Sequence, residues 1–256
     1  MPDLLGRFRW IVFAAVCAGV VAGAAMSLVH HVALVPLIER AEVYEEAASA
    51  HPPPAAATQA TPSVPAAHDH HAGDTHAPSG AERAVLTLLT DLLAAIGFAL
   101  ILAAGLTLRG GNVSWRAGLA WGLSGYLAFS FAPSIGLPPE LPGSEGAPLV
   151  GRQLWWLATV VATAAGLALL AFGYRLALAI TGIALIVAPH LVGAPHPPPH
   201  DPVVPAELTR QFIIAVLATN LGFWLLLGCA CVHFLRRFAP TVVTSMHRSA
   251  QGGPTP

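Results

Sequence analysis

The sequence predicts an all-α polytopic membrane protein: a transmembrane helix bundle of six spans with both termini cytoplasmic. Three observations predict it. Hydrophobic residues make up 55% of the 256 and charged ones only 10%, against ~25% charged in soluble proteins, so a soluble surface cannot be covered. The basic residues are all arginine. Six stretches are apolar over the ~20 residues that a helix rising ~1.5 Å per residue needs to cross a bilayer. With a formal net charge of −1, no bulk attraction to nucleic acid is expected. There is neither a glycine-rich nucleotide loop nor a soluble catalytic domain, so the sequence points to no enzyme and no ATP-driven pump.

The spans are expected at 10–35, 84–108, 117–135, 153–173, 176–193 and 211–235. Arg7 and Arg9 before the first, with Ala22-Gly23-Ala24 inside it, resemble a signal peptide. The apolar run continues to Val35, longer than an ordinary leader, so retention is expected. The fourth and fifth spans are separated only by the turn around Tyr174 and Arg175. One interrupted segment there would give five spans, but ~40 residues far exceeds one crossing. Gly19-x-x-x-Gly23 and Gly118-x-x-x-Gly122 permit close helix approach and are expected to mark packing faces. The whole chain reads as a single transmembrane domain, 1–256. Within it, 36–83 is an outer, His/Pro/Ala-rich, largely disordered loop, and 236–256 a flexible cytoplasmic tail.

Charge sets the orientation. Six spans group Arg7, Arg9, Arg109, Arg116, Arg175, Arg236, Arg237 and Arg248 on one side, with Asp3 the only acid there. Arg40, Arg83, Arg152 and Arg210 fall on the other. Arginines near span ends favour the cytoplasm, so the richer side is assigned inside. The acids concentrate outside, at Glu39, Glu42, Glu45, Glu46, Asp69, Asp74, Glu82, Glu140, Glu145, Asp201 and Glu207. Acids contribute little to that rule, so their segregation needs a second reason.

The histidines supply one. "HDHHAGDTH", residues 68–76, places His68, Asp69, His70, His71, Asp74 and His76 in a run of Ala, Pro and Thr that cannot form a core. Imidazole suits Zn, Cu, Ni and Co, and carboxylate oxygen completes a shell. His68 and His70 point the same way in an extended chain, ~7 Å apart, and can bend onto one ion. Ordering such a loop costs entropy, so weak, fast-exchanging collection is expected. The plain alternative is a solvated linker with incidental metal affinity. His196 and His200, around Pro197–Pro199, stand ~12 Å apart in polyproline II and need partners from another loop to share an ion.

Asp91 is the acid set well inside a span, ~10 Å from its outer edge. Such residues usually face a bundle interior or a wet cavity. With His30, His31 and His190 at similar or shallower depth, it would form a vestibule site. The duller reading is a local hydrogen bond at a ragged end of a helix that starts later. Asn220 reads first as interhelical glue and second as a carbonyl ligand. Cys17, Cys229 and Cys231 read as small buried residues, not a disulfide framework. Gly122-Leu123-Ser124-Gly125, with six spans and a later histidine, has the look of a rhomboid-type protease. Ser124 lies at a depth away from His190, however, and the earlier His-x-x-x-Asn is absent.

Four stretches together resemble the CbtA-type cobalt transporter subunits. They are "VALVPLIERAEVYE" after the first span, "GLPPELPG" at 136–143, "RQLWWLATVVATAAGLAL" at 152–169 and "ATNLGFWLLLG" at 218–228. The resemblance implies a membrane protein, usually described with five spans, working with a small one-span CbtB-type subunit in cobalt supply. It assigns no role to Glu140, Arg152, Gln153, Trp155 or Trp156, which match its motifs. Arg152 with Glu140 or Glu145 reads as a gate pair or, more plainly, a surface pair. The combined expectation is an uptake subunit in the cytoplasmic (inner) membrane for a divalent transition metal: Co2+ by resemblance, Ni2+ or Zn2+ by ligand type. It would act within the lipid bilayer with the one-span CbtB-type subunit, as a single copy or a homo-oligomer. The rival is a metal-binding or sensing subunit that does not transport.

Overall fold

The structure, a computed structural model, describes residues 2–50, 80–110, 113–142, 144, 146–197 and 202–238. Among these there are six helical rods and no strand. The first, α1, runs without a break from 2 to 50, α-helical over Pro2–Val29 and Val35–Ala50 with a π turn at His30–Leu34. α2 spans Gly80–Leu108. α3 runs from 115 to 136 through a second π turn, Leu127–Phe131. α4 spans Leu149–Phe172, α5 Leu176–Val192 and α6 Ala206–Arg237.

Four segments are long and apolar enough to cross a membrane: Phe8–Ala50 in α1, then α2, α4 and α6. α5 has 17 residues, ~26 Å at ~1.5 Å each, slightly short of a ~30 Å hydrocarbon core. The six expected spans thus correspond to six helices, with different ends. α1 carries on through 36–50, residues read from sequence as outer loop. Its 43 apolar-to-charged residues from Phe8 amount to ~65 Å, and the far part carries Glu39, Arg40, Glu42, Glu45 and Glu46. That part is too charged to lie in hydrocarbon at low cost. α2 starts at Gly80, earlier than expected, so Asp91 is no cap on a ragged end. Residues 51–79, with the whole of the His-rich stretch 68–76, lie outside the described residues, as do 239–256.

Small residues hold the bundle together. In α1, Ala14, Ala18 and Ala22 are fully buried at helical spacing, and in α2 so are Ala99 and Ala103. A Cβ on Gly19 would collide with the backbone of Ile96, and one on Gly23 would meet Asp91 and Leu92. Gly118 and Gly228 face each other's carbonyls between α3 and α6, and Gly122 abuts Trp224. Between helices in lipid, such close backbone approach supplies the van der Waals contact that hydrophobic burial cannot. Both glycine pairs singled out in the sequence are therefore packing faces. α4 and α5 form an antiparallel hairpin, crossing closely where Gly166 meets Gly182.

The two ends of the bundle differ in charge. Phe13 packs against Phe238 with ring centroids 5.0 Å apart, so the start of α1 and the end of α6 share one end. Trp115 lies 6.3 Å from the His233 ring, and Arg109 lies 5.8 Å over the ring of Phe172. That end gathers Arg9, Arg109, Arg116, Arg236 and Arg237. The opposite end has its own small core of Leu34, Ala41, Leu141, Val204, Leu208 and Phe212. The described glutamates lie there, several paired: Glu42 with Arg83 at 3.5 Å, Glu140 with Arg152 at 2.8 Å and Glu207 with Arg210 at 2.9 Å.

Candidate metal-uptake site

The acidic end holds a contact between α1 and α2 made of an imidazole and a carboxylate, two groups of the kinds that can ligate a metal. His30 Nδ1 lies 3.1 Å from Asp91 Oδ2, with the side chains 23% and 14% exposed. Helix geometry explains the meeting. Side chains lean toward the N-terminus of their helix, and α1 and α2 are antiparallel. His30 therefore leans into the bundle while Asp91 leans out toward it. The π turn begins at His30. One extra residue in a turn re-aims the side chains around it, and such turns recur at functional sites. Gly23 lets α2 approach closely at Asp91, so the carboxylate is carried to the seam between the helices.

This geometry constrains the chemistry. With Nδ1 bonded to the carboxylate, neutral His30 carries its proton on Nδ1. Nε2 then keeps its lone pair. A carboxylate on one imidazole nitrogen and a metal on the other is the usual arrangement at metal sites, and it fixes tautomer and ring orientation. The alternative is a metal that replaces the hydrogen bond and takes Nδ1 and Oδ2 together.

The other expected ligands are dispersed. His31 is exposed on the next position of the π turn. His190 lies at the end of α5, its ring 5.9 Å from Trp155, with Nδ1 buried and unpartnered among the described residues. His196 is exposed in the connector after α5. His68, Asp69, His70, His71, Asp74, His76 and His200 lie outside the described residues. Among the described residues no three His, Cys, Asp or Glu side chains gather as a metal-binding group. Of the vestibule set, His30 and Asp91 are the two brought together.

Deeper polar groups serve packing. Ser130, on the second π turn, donates to Asn220 Oδ1 at 3.3 Å and accepts from Trp224 Nε1 at 3.2 Å, joining α3 to α6. Asn220 also donates to the Val216 carbonyl at 2.9 Å. These bonds suit the glue reading better than the ligand one. Ser124 donates to the carbonyl of Ala120 at 2.8 Å, and no described histidine is bonded to it, so a Ser–His dyad is not formed. Cys231 is buried with Sγ 3.7 Å from the Ala99 carbonyl, and all three cysteines are free.

The pair expected of Arg152 with Glu140 or Glu145 forms with Glu140 and ties two motifs together. Arg152 of the Arg-Gln-x-Trp-Trp stretch pairs with Glu140 of the Pro-Glu-Leu-Pro-Gly loop, and a Cβ on Gly146 would strike that guanidinium. Leu141 from the same loop is buried in the outer core. Trp155 donates from Nε1 to the Pro189 carbonyl at 3.3 Å, clamping the end of α5. Sequence reasoning missed this clamp and the buried Thr159 and Thr163 below it. The spacing of Trp155, Thr159 and Thr163, one turn apart each, was the signal available.

No curated protein and no solved structure matches the chain. The family described as "Probable cobalt transporter subunit (CbtA)" matches residues 8–236, from the first turns of α1 to the end of α6. The chain belongs to the CbtA family.

Proposed function

We propose that this chain is the membrane subunit of an importer for a divalent transition metal, cobalt by its family. The observation that carries the reading is the His30–Asp91 pair, an imidazole and a carboxylate bonded across a helix seam at the acidic end. An ionisable pair within a membrane bundle is expensive and marks ion paths more often than packing. Ions collected by the histidines of 68–76, and by His196 and His200, reach the vestibule around His30 and Asp91. His31 and His190 lie on the same outer rim as secondary contacts. The carboxylate and imidazole replace part of the ion's water shell, and the bundle passes it inward. The acidic end faces the periplasm or outside, and the arginine end faces the cytoplasm, as the positive-inside rule requires. The chain sits in the inner membrane and takes a one-span CbtB-type partner.

Flux measurements in reconstituted vesicles test this. The purified chain is inserted with a metal-sensitive dye inside, and Co2+, Ni2+ and Zn2+ are added outside, with and without the one-span partner. The expected outcome is dye response to Co2+ that requires the chain and is inhibited by the competing ions in proportion to imidazole affinity. Binding of Co2+ without any flux, with the partner present, means the chain is a metal-holding subunit and not an importer.

A further inference from the structure

We propose that the arginine end carries a binding site for a phosphate group. A cavity of about 400 Å³ opens where α2 ends and α3 begins, with Leu106, Ala117 and Ala120 on its apolar side and Arg109, Ser114 and Arg116 on its polar side. Among the described residues neither arginine is paired with a carboxylate: Arg109 rests on the Phe172 ring at 5.8 Å, and the arginine–glutamate pairs all sit at the opposite end. Two uncompensated guanidiniums on one cavity are matched to a phosphate, whose oxygens accept bidentate pairs from planar forks. The backbone adds donors. Gly110 takes a left-handed turn at φ +68° that ends α2. Ser114 caps α3 by accepting from Ala117 N at 3.2 Å, which leaves the Trp115 and Arg116 N–H groups without an intrahelical acceptor. Trp115, half exposed beside the cavity, is the kind of residue that sits at headgroup depth.

The same chemistry has two sources, a phospholipid headgroup or free phosphate, and the experiment separates them. The full chain in detergent is stripped of lipid, then offered phosphatidylglycerol or inorganic phosphate, and bound groups are counted by native mass spectrometry. The expected result is one phosphate-bearing group per chain. Its retention falls by about tenfold for each arginine removed, in R109Q and R116Q. The control R236Q/R237Q, at the same end but off the cavity, retains it. Ala120→Leu, which narrows the cavity and leaves the charge, also weakens retention. Saturation by phosphatidylglycerol but not by inorganic phosphate identifies a lipid site; saturation by inorganic phosphate identifies a soluble one. The proposal is overturned if neither is retained, if R236Q/R237Q loses as much as R109Q/R116Q, or if Ala120→Leu changes nothing.

Discussion

Replacing Asp91 by Ala removes the carboxylate that holds His30, and the expected loss is in metal handling rather than folding. The carboxylate lies 3.1 Å from His30 Nδ1, so its removal either deletes a ligand or frees the imidazole to rotate and change tautomer. Loss of such a partner costs 10–100-fold in metal affinity, about 1.4–2.7 kcal/mol at ~1.4 kcal/mol per tenfold. The helix seam survives, because α1 and α2 are held by Gly19, Gly23 and the buried alanines, none of which touches the carboxylate's function. The assay is initial-rate Co2+ flux in vesicles at ion concentrations below saturation, with helicity followed by circular dichroism. Asp91→Ala is expected to lower the rate by at least about tenfold with helicity unchanged. Asp91→Asn keeps an acceptor for Nδ1 and should lie between. Deleting 66–77, the collecting loop, should cost less than Asp91→Ala at high external metal. Wild-type flux from Asp91→Ala, or a larger loss from the loop deletion, refutes the vestibule.

Free imidazole titrates near ~6.5 and cannot ligate when protonated, so uptake by collecting histidines should fall as pH drops from 7.5 to 5.5. A flat profile over that window removes histidine collection. Gly228→Ala drives a methyl group into the Gly118 carbonyl and should lower unfolding stability in detergent by about 1–3 kcal/mol, as overpacking does. A double-mutant cycle on Ser130→Ala and Asn220→Ala should give a coupling of about 0.6 kcal/mol, the typical value for polar pairs between membrane helices; zero coupling would deny the bond between them. Glu140→Gln should change stability by less than about 1 kcal/mol, since the pair with Arg152 is a third exposed. A far larger loss would make that pair a gate or latch rather than a surface contact.

The fold was legible because apolar length is a strong signal: each expected span falls on a helix, and the glycine pairs fall on the helix seams. Helix ends were less legible. Residues 36–50 are polar enough to leave the bilayer, and a sequence reading that equates the end of apolarity with the end of the helix stops too soon. Ala, Glu and Leu are good helix formers in water as well, and packing of Leu37 and Ile38 against the outer core carries α1 onward. The π turns leave no mark in composition, so the aim of His30 was open until the backbone was seen. The meeting of His30 with Asp91 was foreshadowed by depth alone. His190 and His31 matched in depth equally well, and depth does not say which helices are neighbours. Trp155 and Pro189 are 34 positions apart, and only the α4–α5 hairpin brings them together.

The charge layout has a consequence for any cation moving from the acidic to the arginine end. A divalent ion ~8 Å from a guanidinium is repelled by about 1 kcal/mol at the dielectric of water and about 4 kcal/mol at an effective value near 20. Arg109 and Arg116 on one cavity double that at the exit the proposed inward route requires. An ion drawn to Glu and Asp at one mouth would then be held there, because the far mouth opposes it. Orientation of the membrane potential, negative inside, helps by ~4.6 kcal/mol per 100 mV for two charges, comparable to the repulsion it must overcome. A phosphate seated between the two arginines offsets the same barrier from within the protein. On the proposed inward route these arginines would otherwise work against release, and an anion at that end reconciles the two demands. Co2+ flux in phosphatidylglycerol vesicles should then exceed flux in phosphatidylcholine vesicles for the native chain, and the difference should vanish in R109Q/R116Q. A lipid dependence that survives both substitutions would trace to general surface potential and leave the release barrier without a resident counter-charge.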